Sequence, residues 1–408
     1  MKRTYFMAIS KLDHIPHSRL SGILLVVGIL LIAANLRAPF TGIAPVLAQI
    51  IDHFGFSGSQ AGFLTTLPLI AFAVISPMAA TLARKQGLEH ALFIALILIM
   101  VGIASRFVNS AAMLFIGTTI IGVGIAIANV LLPSLIKRDF ATKVALMTSA
   151  YVLTMGVTSG GFSAMVFPLS QLNGLGWQLA LGSAAILTLA SLIIWTAQLG
   201  KHTRPANIAP LSATAKSVWR YLLAWQITLL LGLNSLLTYI IITWLPSILT
   251  DTGHSAIQAG TYHGAFQIAT ALPGLVLIPL LTKLKDQRAL SFILGMFSAV
   301  SVLGLLYMPH YAFAWTITLG FSSGACFILG LSFISLRTDS AQQAASLSGM
   351  SQCMGYSLAA VGPMIAGSLH STTGSWDAAL WLCAIAAVLC ALFGLGGGRN
   401  TTLEKSTD

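Results

Sequence analysis

Residues 21–48 read SGILLVVGILLIAANLRAPFTGIAPVLA. The run is long enough to cross about 30 Å of hydrocarbon as a helix, yet it holds a permanent charge, Arg37, well inside it. A guanidinium in a bilayer costs at least about 2.5 kcal/mol on the mildest insertion scales, so it normally faces a cavity or a partner. No apolar run is expected to supply an Asp or Glu beside it. Asp52, Asp251 and Asp377 fall on the outer side, and the other acids fall at cytoplasmic or terminal positions. An unpaired intramembrane Arg points to a small anionic or electron-rich polar ligand.

Comparable apolar runs fill the rest of the chain. They lie near 59–83, 88–108, 111–135, 144–168, 176–199, 221–248, 257–281, 289–308, 312–336, 344–369 and 376–397, which makes twelve expected membrane-spanning helices. The 408 residues are 56% hydrophobic and 8% charged, whereas a soluble domain carries about 25% charged residues. A soluble fold is thereby excluded. A β-barrel needs short alternating segments, and these runs are continuous. The polar, basic first twenty residues precede a span too long for a signal peptide, so the first helix is expected to stay uncleaved. Cys326, Cys353, Cys383 and Cys390 all fall inside expected helices with no CxxC spacing, so neither a disulfide framework nor a zinc site is indicated.

The net charge of +11 has a topological explanation. With both termini inside, nineteen of the twenty-one Lys and Arg residues fall in cytoplasmic segments; Arg106 alone falls at an outer loop, and Arg37 in a helix. This is the positive-inside pattern of a multi-pass membrane protein. A nucleic-acid partner is not called for.

Adding 199 to a first-half position repeatedly meets a matching residue: Asn35 with Asn234, Arg84 with Lys283, Arg138 with Arg337, Gly156 with Gly355, Trp177 with Trp376. Six spans per half give both halves the same orientation, hence a parallel pseudo-twofold repeat of two six-helix bundles, the arrangement of major facilitator transporters. The expected organisation is an N-terminal bundle at 1–199, a polar cytoplasmic linker at 200–220, a C-terminal bundle at 221–398 and a short mobile cytoplasmic tail at 399–408.

Several strings narrow the resemblance. They are Asn35-Leu36-Arg37-Ala38-Pro39, Leu64-Thr65-Thr66-Leu67-Pro68, Leu132-Pro133-Ser134-Leu135-Ile136-Lys137-Arg138-Asp139-Phe140, Gly232-Leu233-Asn234-Ser235, Trp244-Leu245-Pro246 and Ser348-Gly349-Met350-Ser351-Gln352. Between about residues 21 and 395 the chain resembles the cyanate/2-nitroimidazole transporter (CynX/NimT) family of the major facilitator superfamily, closer to its nitroimidazole branch. The general facilitator loop signature is eroded here, with Arg84 where an Asp belongs and Leu88-Glu89 where basic residues belong. The resemblance implies an all-α inner-membrane carrier for a small polar or anionic solute, working by alternating access, monomeric and without a cofactor.

Within that frame the polar intrusions are the candidate solute-binding residues. Arg37 leads, because its planar fork suits two oxygens of a carboxylate, nitrate or nitro group and can stack on a heterocycle. Pro39, Gly42 and Pro45 follow it and free backbone groups. Asn35 and its repeat partner Asn234 must face protein or water. Gln352 and Tyr356, four apart, share one helix face. Asn129, Gln267, Tyr239 and Tyr151 complete the set, and His263 is the candidate for proton coupling. Trp177, Trp376 and Tyr311 are expected in an interfacial aromatic belt.

Rival classes lack their marks. No cluster of His, Asp, Glu or Cys suits a membrane-embedded enzyme or a metal, and no G-x-x-x-x-G-K-[ST] loop suits a nucleotide-driven pump. A channel-like facilitator remains the alternative to a carrier, separable by saturation and counterflow.

Overall fold

A computed structural model describes residues 19–140, 142–172, 176–200, 218–281 and 284–405, with no strand among them. The segment 201–217, which holds most of the expected linker, lies outside the described residues. The first expected span is a broken helix. α1 (Arg19–Asn35) ends in a turn at Leu36 and Arg37; α2 (Ala38–Thr41), a 3-10 turn (Ala44–Val46) and α3 (Leu47–Phe54) continue it. Pro39 and Pro45 have no N–H to donate, so a continuous ladder cannot pass through them. The Ile43 amide then turns to Phe40 O at 3.2 Å, one residue short of the α-helical acceptor Pro39 O.

α4 (Gly58–Gln86), α5 (Leu88–Ser105), α6 (Ala111–Asp139), α7 (Val144–Gln171), α8 (Gly176–Gly182) and α9 (Ala184–Trp195) complete the first bundle. The second holds α10 (Leu222–Asp251), α11 (Ala256–Ala271), α12 (Pro273–Leu281), α13 (Arg288–Tyr307), α14 (Ala312–Leu336), α15 (Ala341–Thr373) and α16 (Asp377–Gly397). Ten described segments are long and apolar enough to cross a membrane. The other two expected spans fall short for local reasons. Pro273 splits 257–281 into α11 and α12, and Ser, Thr, Gln and Gly dilute the apolar content of the 33-residue α15.

The repeat is visible in local chemistry. α4 and α11, the second helices of their bundles, both open on a capping box, Ser57 with Gln60 and Ser255 with Gln258, which satisfies amides the helix cannot. Arg138 and Arg337 close α6 and α14. Arg138 Nη2 meets Glu89 Oε1 of α5 at 2.9 Å, so Glu89, only 1% exposed, is a buried ion-pair partner rather than a solvated loop acid. Arg337 donates to Gln287 and to the carbonyls of Gly397 and Gly398. The tail is also docked rather than loose up to Glu404. Leu403 is fully buried, its amide donates to Arg337 O at 2.9 Å, and Gln343 donates to Glu404.

Two helix pairs join the bundles, α4 with α15 and α7 with α11. Both pairings lie away from the end that carries Arg84, Arg138, Arg288 and Arg337, here called the basic end. The contacts depend on missing side chains. A Cβ on Gly160 would stand 2.5 Å from Gly264 O, and one on Gly62 would stand 2.5 Å from Pro363 O, closer than real Cβ contacts. Thr66 Oγ1 donates across the same seam to Ala360 O at 3.0 Å.

Candidate functional site

Between the bundles, below that seam, lies a cavity of about 810 Å³. It extends toward the basic end past Ser76, Pro133, Ser149, Ser332 and Ser335. Arg37 is the only charged residue among the described lining. It sits at the break between α1 and α2, where the chain turns before Pro39 and aims the side chain off the helix path. Its Nη1 donates to Thr270 Oγ1 of the opposite bundle at 3.1 Å. Thr270 itself stands at the end of α11, just before the Pro273 break. Two interrupted helices, one from each bundle, therefore meet at the cavity's one charge. No carboxylate pairs with Arg37 among the described residues.

Tyr239 of α10, Tyr356 and Gln352 of α15, Tyr151 of α7 and Asn129 of α6 line the same cavity. Gln352 and Tyr356 do share a face, and Gln352 Nε2 donates to Ser348 Oγ at 2.8 Å. Phe72 packs edge-on to Tyr356, ring centroids 5.9 Å apart, adding an aromatic wall from α4. Aromatic walls around one guanidinium can hold a flat polar solute by stacking while the fork takes its oxygens.

Four expected site residues do not line this cavity. Asn35 is fully buried and ties α1 to α9: its Nδ2 donates to Leu31 O and Ser191 Oγ, and Thr188 donates to its Oδ1. Asn234 donates to Ser323 O at 3.1 Å and joins α10 to α14. Both side chains are engaged in interhelical bonding. Gln267 and His263 are fully buried on α11, and none of their side-chain nitrogens or oxygens meets hydrogen-bond geometry. Leaving such groups unpaired costs about 1–3 kcal/mol each.

Arg106 departs furthest from expectation. It closes α5, but it is 1% exposed rather than held in an outer loop. Its Nη1 donates to Pro39 O at 2.6 Å and its Nη2 to Thr118 Oγ1 at 3.0 Å. Pro39 O is the carbonyl that the 3-10 step leaves without a helical donor. Arg106 thus caps the broken helix and Arg37 is left to face the cavity. Trp177 and Trp376 are likewise buried and form no lipid-facing belt, although Tyr311 is exposed. Trp376 stacks on His370 and donates to Asp251. Sequence reasoning missed Thr270 and Phe72; a Thr three residues before a Pro, on the face of Gln267, was the available signal for the first.

Residues 25–360 match the family described as Major Facilitator Superfamily. The chain belongs to that superfamily. A 2-nitroimidazole transporter of Escherichia coli (strain K12) is 50% identical over 383 residues, covering 94% of this chain and 97% of that protein. The cyanate transport protein CynX of the same organism is 25% identical over 350 residues, covering 85% and 90%. A solved bacterial homologue of the human lysosomal transporter Spinster, inward-facing and unoccupied, superposes with a TM-score of 0.71 at 16% identity, covering 97% of this chain and 99% of that one. The superfamily member is accordingly a multi-pass secondary transporter of a small-molecule solute, and not an enzyme.

Proposed function

We propose that this superfamily member moves a small anionic or electron-rich polar solute, of the 2-nitroimidazole or cyanate type, across the bacterial inner membrane by alternating access. Arg37 holds the solute's negative or nitro oxygens. Tyr239, Tyr356 and Phe72 wall its flat face, and Gln352, Asn129 and Tyr151 supply adjustable polar contacts. The observation that carries the proposal is the lone guanidinium of Arg37 in a cavity between two bundles, with no acid paired to it among the described residues. The high identity to a 2-nitroimidazole transporter supports the choice of solute class.

The positive-inside rule puts the basic end and both termini in the cytoplasm. The cavity then faces inward, and the glycine-lined seam is the closed outer gate. The bundles move as units, 1–199 against 221–398, joined by the 200–220 linker, in a monomer. Opening the outer end requires α4 to part from α15 and α7 from α11, with Arg37 and its solute near the pivot.

Labelled counterflow in proteoliposomes tests this, with 2-nitroimidazole, cyanate, nitrate and small carboxylates compared. Saturable exchange of one of them is the expected result. Non-saturating flux without counterflow establishes a channel instead, and failure of every solute in folded protein removes the proposed cargo class.

A further inference from the structure

One face of α11 carries a polar line that the solute site does not absorb. His263, Gln267 and Thr270 are spaced i, i+4 and i+7, so they stack along one side of the helix. The lower end of the line is tied to the cavity: Thr270 accepts from Arg37 and donates to Gln267 O at 2.7 Å. The upper end is sealed. His263 and Gln267 have no solvent exposure, and neither ring nitrogen nor either amide atom finds a hydrogen-bond partner by geometry. The Ile242 backbone of α10 offers the His263 ring its one weak polar contact, outside full hydrogen-bond geometry. Two neighbouring helices add buried hydroxyls in the same condition, Ser163 of α7 and Thr316 of α14. Native interiors rarely leave so many polar atoms unpaired, and those that do so commonly have a functional cause.

We infer that His263 is the proton-binding site of the transport cycle, loaded from water on the outer side and emptied to water on the cavity side, where Thr270 and Arg37 lie. The inference rests on the carrier proposal for its two end states, though its test does not require the solute. Gly264, next in sequence to His263, abuts Gly160 of the other bundle in the closed outer seam. Parting α7 from α11 therefore admits water beside the imidazole, which then takes a proton. Closing the seam strips that water. An imidazolium there would be a buried charge with no counter-ion, which is strongly unfavourable. The titratable or charged groups on the packed elements are few: Tyr262 on α11, Tyr151 on α7, Tyr239 and Asp251 on α10, and Cys326 on α14, while α12 and the 44–46 turn carry none. Asp251 is held at the far end of α10 by Trp376 and His370. Arg37, reached through Thr270, repels the proton while its own site is empty. A negatively charged solute on Arg37 removes that repulsion, so the solute and the proton favour each other's binding across one helix face. The step transfers only a proton, from bulk water to the imidazole and back to water in the cavity.

The test is pulsed EPR on full-length protein in nanodiscs, with spin labels at Leu172→Cys and Ile257→Cys, exposed positions at the outer ends of α7 and α11. Cys353, the exposed native thiol, is replaced by Ser. Acidification from about pH 8 to about pH 5, the range in which histidine titrates, is expected to shift the distribution toward longer distances without any solute. His263→Gln is expected to abolish that shift, and His310→Gln, an exposed histidine outside the line, is expected to keep it. A pH-independent distribution in the wild-type background overturns the inference. So does an undiminished shift in His263→Gln.

Discussion

Arg37 of the first bundle donates to Thr270 of the second across 3.1 Å, and each residue stands at a proline-associated break in its helix. Breaks at membrane depth are tolerated only where the freed backbone is buried or lines a cavity. Here they place a charge and its acceptor on opposite sides of the surface along which the bundles must move. In the proposed function, a solute arriving at Arg37 competes with a bond that links the two bundles.

Arg37→Lys separates charge from geometry. Lys keeps the positive charge but loses the planar fork. Solute affinity is expected to fall by about tenfold, equal to about 1.4 kcal/mol, with thermal stability little changed. Isothermal titration and thermal unfolding on the same purified protein read the two effects.

Arg106→Met removes the donor to Pro39 O and to Thr118. Those groups lie in a dry interior, so stability is expected to drop by about 1–3 kcal/mol. Solute affinity should weaken as well, although Arg106 does not line the cavity, because the α1–α2 break that aims Arg37 loses its cap. Arg106→Lys, which retains one donor, is expected to restore part of both. Thermal unfolding and binding measured together distinguish this from a purely structural loss.

Gly160→Val puts side-chain atoms where even a Cβ meets the Gly264 carbonyl at 2.5 Å. The seam proposed as the outer gate is then unable to close. Outer-end spin-label distances should lengthen and exchange should fall, with the bundles still folded. Unaltered distances would show that the seam is not the gate.

Asn35→Ala tests a residue moved from the solute site to the framework. Loss of its bonds to Ser191 and Thr188 is expected to lower stability by roughly 0.6–2 kcal/mol, the range for interhelical bonds in membranes. Binding affinity should stay within about twofold, a shift of a few tenths of a kcal/mol.

Residue matches 199 positions apart made the repeat legible, and hydropathy made the spans legible, because lipid selects on composition and length. Arg37 was legible for the same reason: a charge inside such a run must face a cavity or a partner. What hydropathy does not encode is which side of a helix faces the cavity. Asn35 was grouped with Arg37 as a polar group in the same apolar run and as the repeat partner of Asn234; the cost of burying an amide does not say whether it faces the cavity or a neighbouring helix, and here it bonds to Ser191 and Thr188 of α9. Asn234 turns to Ser323 of α14 instead of the cavity, and Gln267 shares the face of Thr270 but lies further along α11, beyond the cavity lining. Arg106 looked like a loop residue because a hydropathy profile marks where a helix ends, not what the end folds back upon. Its role depends on the carbonyl that Pro39 and the following 3-10 step expose, a tertiary relationship. Thr270 was missed because its partner comes from the other bundle, and no spacing in one helix announces a residue 233 positions away.

The most direct test of the central claim is equilibrium binding of labelled 2-nitroimidazole to purified wild type and Arg37→Ala, each verified as folded by thermal shift. Saturable binding to the wild type, weakened at least about tenfold in the variant, is the predicted result. Equal affinity in the two proteins would contradict the assignment of Arg37 as the residue that holds the solute.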